Sequence, residues 1–144
     1  MKYFFTIVLL LIEISCSSKK DKVQSPSMIN PQFTEFPMDC SIRALEVIDE
    51  NTVWFAGNKG IYGYTKDGGA KWVLDSISMD GKLPEFRAIA ITSSAIFLLN
   101  IASPAYLLKS IDEGKKWEIV YREDHPDVFY DCMKFWDDEN GIAM

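Results

Sequence analysis

From Ile42 onward the chain alternates short apolar runs with polar breaks. The runs Ile42 to Ile48, Thr52 to Gly57, Ile61 to Thr65 and Lys71 to Asp75 are dense in Val, Ile, Tyr, Phe and Trp. The clusters Asp49-Glu50-Asn51, Asn58-Lys59-Gly60 and Lys66-Asp67-Gly68-Gly69 separate them. Runs of this length, rich in β-branched and aromatic residues and punctuated by Gly, Asn and Asp, predict β-strands joined by tight turns. The same rhythm follows at Phe86 to Thr92, Ala95 to Ile101, Ala105 to Ser110 and Lys116 to Tyr121. No segment of this region carries the 3.6-residue period of a helix, so the expectation is an all-β domain.

The pattern repeats. Thr65-Lys66-Asp67-Gly68-Gly69-Ala70-Lys71-Trp72 and Ser110-Ile111-Asp112-Glu113-Gly114-Lys115-Lys116-Trp117 share the form [ST]-x-D-x-G-x-x-W, with Asp112 lying 45 positions after Asp67. Ile42-Arg43-Ala44-Leu45 matches Phe86-Arg87-Ala88-Ile89 at a spacing of 44. A third copy begins where Asp137-Asp138-Glu139-Asn140-Gly141 parallels Asp49-Glu50-Asn51-Thr52-Val53, a hairpin turn rather than a calcium loop. Four strands in about 45 residues make one blade of a β-propeller. Blade 1 is expected over about 42–75, blade 2 over about 86–121 and the start of blade 3 over about 129–144. In each octad the Asp can accept backbone N–H bonds of its own turn, Gly69 and Gly114 supply a positive φ, Thr65 and Ser110 add a hydroxyl bond, and Trp72 and Trp117 pack beneath the loop.

The N-terminus is of another kind. Lys2 precedes an apolar run from Tyr3 to Ile12, followed by Ser15-Cys16. That is the layout of an export signal, and the run is shorter than the ~20 residues that span a bilayer. Ser15-Cys16-Ser17-Ser18-Lys19-Lys20 resembles a bacterial lipobox. The resemblance implies cleavage after residue 15, lipidation of Cys16 and a cell-envelope location, lipid-anchored on the periplasmic side or the cell surface. Residues 16–39, with Ser, Lys, Pro, Asn and Gln and only isolated apolar positions, are expected to be a flexible tether ahead of a domain over 40–144.

The two octads resemble Asp boxes, the bacterial neuraminidase repeats of sialidases and of many non-enzymatic propellers. The fuller pattern, Asp-Glu-Asn before a strand ending Trp54-Phe55-Ala56-Gly57 and then an octad, is most similar to propellers of the photosystem II stability and assembly factor type. The resemblance implies that Thr65, Asp67, Gly69, Trp72, Ser110, Asp112, Gly114 and Trp117 are structural, placed away from the ligand-binding face. Sialidases hold the substrate carboxylate with three arginines and use a Tyr/Glu pair with an Asp acid. This chain has Arg43, Arg87 and Arg122, but Phe86-Arg87-Ala88-Ile89 lacks the proline of the sialidase Phe/Tyr-Arg-Ile-Pro motif.

Composition narrows the partners. Fifteen Lys and Arg against 21 Asp and Glu give a net charge of -6, which leaves no basic field for nucleic acid. No phosphate loop, Cys-x-x-Cys or metal-ligand spacing is present, so no cofactor and no metal is expected and no catalytic residue is assigned. Arg43 and Arg87, at equivalent repeat positions, are the candidate contacts to a ligand or partner. The function expected is a non-catalytic platform for a protein partner in the envelope, with the membrane reached through lipidated Cys16. The alternative is a sialidase-type glycoside hydrolase that binds a glycan and whose catalytic residues lie beyond Met144. Two and a half blades do not close a ring, so the chain is expected to be the N-terminal part of a propeller of about six to eight blades. The alternative is a short form that assembles blades between chains. Cys40 and Cys132 are expected to stay unpaired, because the propeller holds their strands apart.

Overall fold

A computed structural model describes Asn30, Pro31, Phe33, Glu35, Phe36 and residues 38–144. The export signal, Cys16 and most of the expected tether lie outside the described residues. In the unit Met1–Glu35 the described residues carry no regular structure, and Phe33 is exposed. The described β structure belongs to the unit Phe36–Met144.

Blade 1 contains β1 (Ile42–Val47), β2 (Val53–Gly57), β3 (Ile61–Thr65) and β4 (Val73–Ser76). Blade 2 contains β5 (Phe86–Ile91), β6 (Ile96–Asn100), β7 (Ala105–Ser110) and β8 (Glu118–Glu123). Blade 3 begins with β9 (Met133–Phe135) and β10 (Gly141–Ala143). Each sheet is an antiparallel meander in chain order, and the described residues form no helix. The innermost strands β1, β5 and β9 are neighbours in sequence of blades, β1 lying against β5 and β5 against β9. The chain is thus a partial β-propeller, two complete blades and half of a third.

Strand alternation gives every blade two faces. The face that looks forward along the chain carries Ala44, Glu46, Trp54, Ala56 and Tyr62 in blade 1 and Ala88, Ala90, Phe97 and Leu99 in blade 2. The back face carries Leu45, Val47 and Phe55 in blade 1 and Ile89, Leu98 and Leu108 in blade 2. The core forms where a forward face meets the next back face: Ala44, Trp54, Ala56 and Tyr62 pack on Ile89, Leu98 and Leu108. The second layer packs Ala88, Ala90, Phe97 and Leu99 on Met133, with Phe97 and Phe135 stacked at 4.3 Å. β6 is therefore buried on both sides, which is why Ile96-Phe97-Leu98-Leu99 is apolar without alternation. Alanines occupy the inner strands, where the blades converge.

Strand ends shift by one or two residues from the sequence reading, and three boundaries differ for identifiable physical reasons. β4 and β8 start at Val73 and Glu118 rather than at Lys71 and Lys116, because the N–H groups of both lysines are donated to Asp67 and Asp112 instead of to a sheet. The tether stops short of Cys40: Phe36 packs on Phe55 and edge-on against Trp72, both at 5.3 Å, and Asp39 pairs with Lys59 at 2.7 Å. Cys40 and Cys132 are free thiols. Leu98 is 0% exposed at the centre of the first layer. Leu98→Ala is expected to cost about 2–5 kcal/mol, read from the urea unfolding midpoint, against under about 0.5 kcal/mol for Ile111→Ala on an exposed loop.

Candidate functional site

The recurring arginines sit on a recurring irregularity. Ile42 pairs with Gly57 and Ala44 with Ala56, so Arg43 is the extra residue of a bulge at the start of β1. Phe86 pairs with Asn100 and Ala88 with Leu99, and Arg87 is the extra residue at the start of β5. A bulge twists the strand and re-aims the side chain it carries. The blade 1 bulge depends on Gly57, where a Cβ would lie 2.3 Å from the Ser41 carbonyl oxygen. Ser41 N donates to Asn58 Oδ1 at 2.7 Å. In blade 2, buried Asn100 braces the loop before β7: its Nδ2 donates to the Ala102 and Pro104 carbonyls, each at 3.0 Å, and its Oδ1 accepts from Tyr106 N.

The third inner strand breaks the charge pattern. Asp131 lies 44 positions after Arg87 and takes the arginine's place. Arg87 Nε stands 3.0 Å from Asp131 Oδ1, an ionic contact without hydrogen-bond alignment. One step along the inner strands, Lys134 Nζ reaches Glu46 Oε1 at 2.8 Å and ties blade 3 to blade 1. Arg43 is exposed and has no ionic partner among the described residues. Arg122 is elsewhere, on the outermost strand β8, clamped by Asp124 at 2.8 Å and Asp80 at 3.3 Å and lying over the Tyr106 ring. The three arginines therefore do not converge.

The octads occupy the other end of each sheet. Thr65 Oγ1 donates to Asp67 Oδ1 and accepts from Gly69 N, both at 2.9 Å, while Lys71 N donates to Asp67 Oδ1 at 2.8 Å. Ser110, Asp112, Gly114 and Lys116 repeat these bonds at 2.9 Å each. The reversal uses two consecutive positive-φ residues, Gly68 and Gly69 in one loop and Glu113 and Gly114 in the other. The strained non-glycine Glu113 escaped the sequence reading; its carboxylate pairs with Lys66 of the neighbouring loop at 2.8 Å. Tyr62 Oη donates to the Gly114 carbonyl at 2.8 Å, which joins the loop of blade 2 to blade 1. Gly68 N donates to Asn51 O at 2.9 Å, so the octads share an end with the β1–β2 turn, opposite Arg43 and Arg87. Trp72 and Trp117 are half-buried, and neither indole N–H has a hydrogen-bond partner among the described residues.

A Tyr/Glu pair exists, but on the rim. Tyr121 Oη donates to Glu123 Oε2 at 3.1 Å on β8. Hydrogen bonding with Tyr130 and then with Glu123 pushes the Tyr121 phenol up to about 12, the wrong direction for a nucleophile. His125 Nδ1 accepts from Asp127 N within its own turn. No group of three His, Cys, Asp or Glu side chains among the described residues is placed to hold a metal ion.

No protein-family model matches the chain, and no curated protein matches it. Among solved structures it is similar to one described as "YCF48 bound to D1 peptide", with a TM-score of 0.66 at 17% identity. The match covers 77% of this chain and 36% of that chain, so this chain spans about a third of its length. The likeness establishes the class, a β-propeller-like fold.

The octad carboxylates set a pH dependence. Backbone donation from Lys71 and Lys116 holds Asp67 and Asp112 below the usual carboxylate range. Their contribution is complete above the unfolded value near ~3.9 and is lost as pH falls below it. In urea unfolding at pH 7 and pH 3, Asp67→Asn/Asp112→Asn is expected to be less stable than wild type at pH 7 and to lose less stability on acidification.

Proposed function

We propose that this protein is an exported lipoprotein whose propeller is a non-catalytic binding or assembly platform for a protein partner. The observation that carries the reading is the pair of equivalent bulges that place Arg43 and Arg87 at the inner end of adjacent blades. This end is free of the octads, which we read as Asp boxes that fasten the opposite side. Arg43 offers its whole guanidinium to a carboxylate or a backbone carbonyl of the partner. Arg87, already facing Asp131, orients polar groups with little net charge. The similar structure described as YCF48 is one with a bound peptide, which supports a polypeptide as the ligand class. Separation of Arg43, Arg87 and Arg122 counts against a sialidase-type carboxylate clamp built from these three residues.

Two measurements test this. Fluorescence anisotropy with a labelled peptide of alternating Asp and Leu ending in a free carboxylate is expected to report binding that Arg43→Ala weakens about five- to tenfold, about 1–1.4 kcal/mol. Hydrolysis of a fluorogenic sialoside that is abolished by Arg43→Ala would replace the platform with the enzyme. For the anchor, Cys16→Ala is expected to move the protein from the membrane fraction to the soluble one, with the lipid mass missing from the intact protein. Unchanged fractionation would remove Cys16 as the lipid site.

A further inference from the structure

Residues 77–85, which join the two complete blades, fold into a small hairpin of their own. Met79 and Lys82 exchange backbone hydrogen bonds at 2.8 and 2.9 Å around Asp80-Gly81, both at positive φ, the two-residue turn that Asp-Gly favours. The two ends of the hairpin are tied to one residue of blade 1. Ile77 N donates to the Gly60 carbonyl at 2.9 Å, and Gly60 N donates to the Pro84 carbonyl at 2.6 Å. The tip is tied to blade 2, where the Asp80 carboxylate accepts from Tyr106 Oη at 3.0 Å and from Arg122 Nη1 at 3.3 Å. Arg122, which stands apart from the other two arginines, thus holds this hairpin down.

Between the hairpin and the β6–β7 loop lies a cleft of about 170 Å³. Met79, Leu83 and Pro84 line it from the hairpin, and Ile101, Ala102 and Pro104 from the loop. The polar groups of its remaining lining are already bonded: the Asn100 amide to the loop and to Tyr106 N, and the Tyr106 hydroxyl to Asp80. Lys82 and Glu85, exposed and of opposite charge, leave the lining without net charge. What the cleft offers is apolar surface, in a volume below the ~300–1,000 Å³ of sites that take a whole small molecule. That volume suits one side chain. All of the lining belongs to the two complete blades and the linker between them, and the next linker is bonded beside it, Tyr130 N donating to the Ile101 carbonyl at 2.8 Å.

The cleft lies at the arginine end of the sheets. Glu85 in its lining is two residues before Arg87, and Asn100 pairs with Phe86 next to the bulge. A polypeptide carries apolar and acidic side chains on one extended strand, those on the same face being ~7 Å apart. We propose that this cleft takes one apolar side chain of the bound polypeptide, while Arg43 takes its carboxylate. This rests on the polypeptide reading above and names what that site selects besides charge: an aliphatic residue close to the acidic one.

The test is fluorescence anisotropy of the full chain in mild detergent with two labelled peptides, the alternating Asp and Leu peptide and an analogue with Ser at every Leu, both ending in a free carboxylate. The Leu peptide is expected to bind about tenfold more tightly. Ala102→Trp, a large ring placed at an exposed position of the lining, is expected to weaken the Leu peptide about fivefold and to leave the Ser peptide unchanged. Asp80→Ala, which frees the hairpin tip, is expected to act in the same direction on the Leu peptide alone. Arg43→Ala is expected to weaken both peptides by the same factor. Circular dichroism unchanged from wild type shows that the variants are folded. Equal affinity for the two peptides, the result if another ligand or another part of this protein fills the cleft, overturns the proposal. So does a preference for Leu that Ala102→Trp and Asp80→Ala both leave intact. If Arg43→Ala still weakens binding in either case, the platform reading stands without the cleft; if neither peptide binds, both fall.

Discussion

No blade of this protein owns a core. A four-stranded sheet one residue thick has two faces and nothing inside, so its apolar side chains leave water only when the next sheet lies on them. The contact of Ala44, Trp54 and Ala56 with Ile89, Leu98 and Leu108 is the unit on which the rest is built. It recurs, with different side chains, where Phe97 and Leu99 meet Met133 and Phe135. The inner strands approach closely enough that alanine is the residue at the crossing points. Aromatic rings fill the wider space between the middle strands.

The two ends of the sheets are specialised in opposite senses. At the octad end, hydroxyl, carboxylate and backbone groups satisfy one another within each loop, and Tyr62, Lys66, Glu113 and Gly114 fasten one loop to the neighbouring blade. The indole N–H groups of Trp72 and Trp117 are left over there. At the other end the bulges at Arg43 and Arg87 interrupt the ladder and leave Arg43 without an ionic partner among the described residues. One end of each sheet is thus fastened by bonds within and between its loops, and the other is irregular and charged.

The charge pattern along the inner strands shows how a repeat is individualised. Arg43, Arg87 and Asp131 follow one another at 44-residue intervals, and Glu46, Ala90 and Lys134 do the same three residues along. Arg87 with Asp131 and Glu46 with Lys134 draw the third blade toward the first two. Ion pairs with one partner in solvent, as Asp131 and Lys134 are, contribute little stability, about 0–1 kcal/mol each. Their effect is on which neighbour a blade accepts and on how much positive charge stays unpaired.

Strands, turns and the blade period were legible in the sequence because they are local. Turn residues at fixed spacing and short β-branched runs specify hairpins whatever surrounds them, and the two octads form the bonds their residue types imply. The arginines were legible as a recurring pair by the same token. What the linear chain does not carry is which charges meet: Asp131 neutralises Arg87 only because β5 and β9 lie side by side, and Arg122 leaves the group only because its strand is the outermost of the blade. Phe36 looked like part of a tether because its partners Phe55 and Trp72 are distant in sequence. Glu113 went unnoticed in the sequence because its positive φ is imposed by the loop. Local chemistry wrote the elements, and the stacking of one sheet on the next decided which of their side chains remain for function.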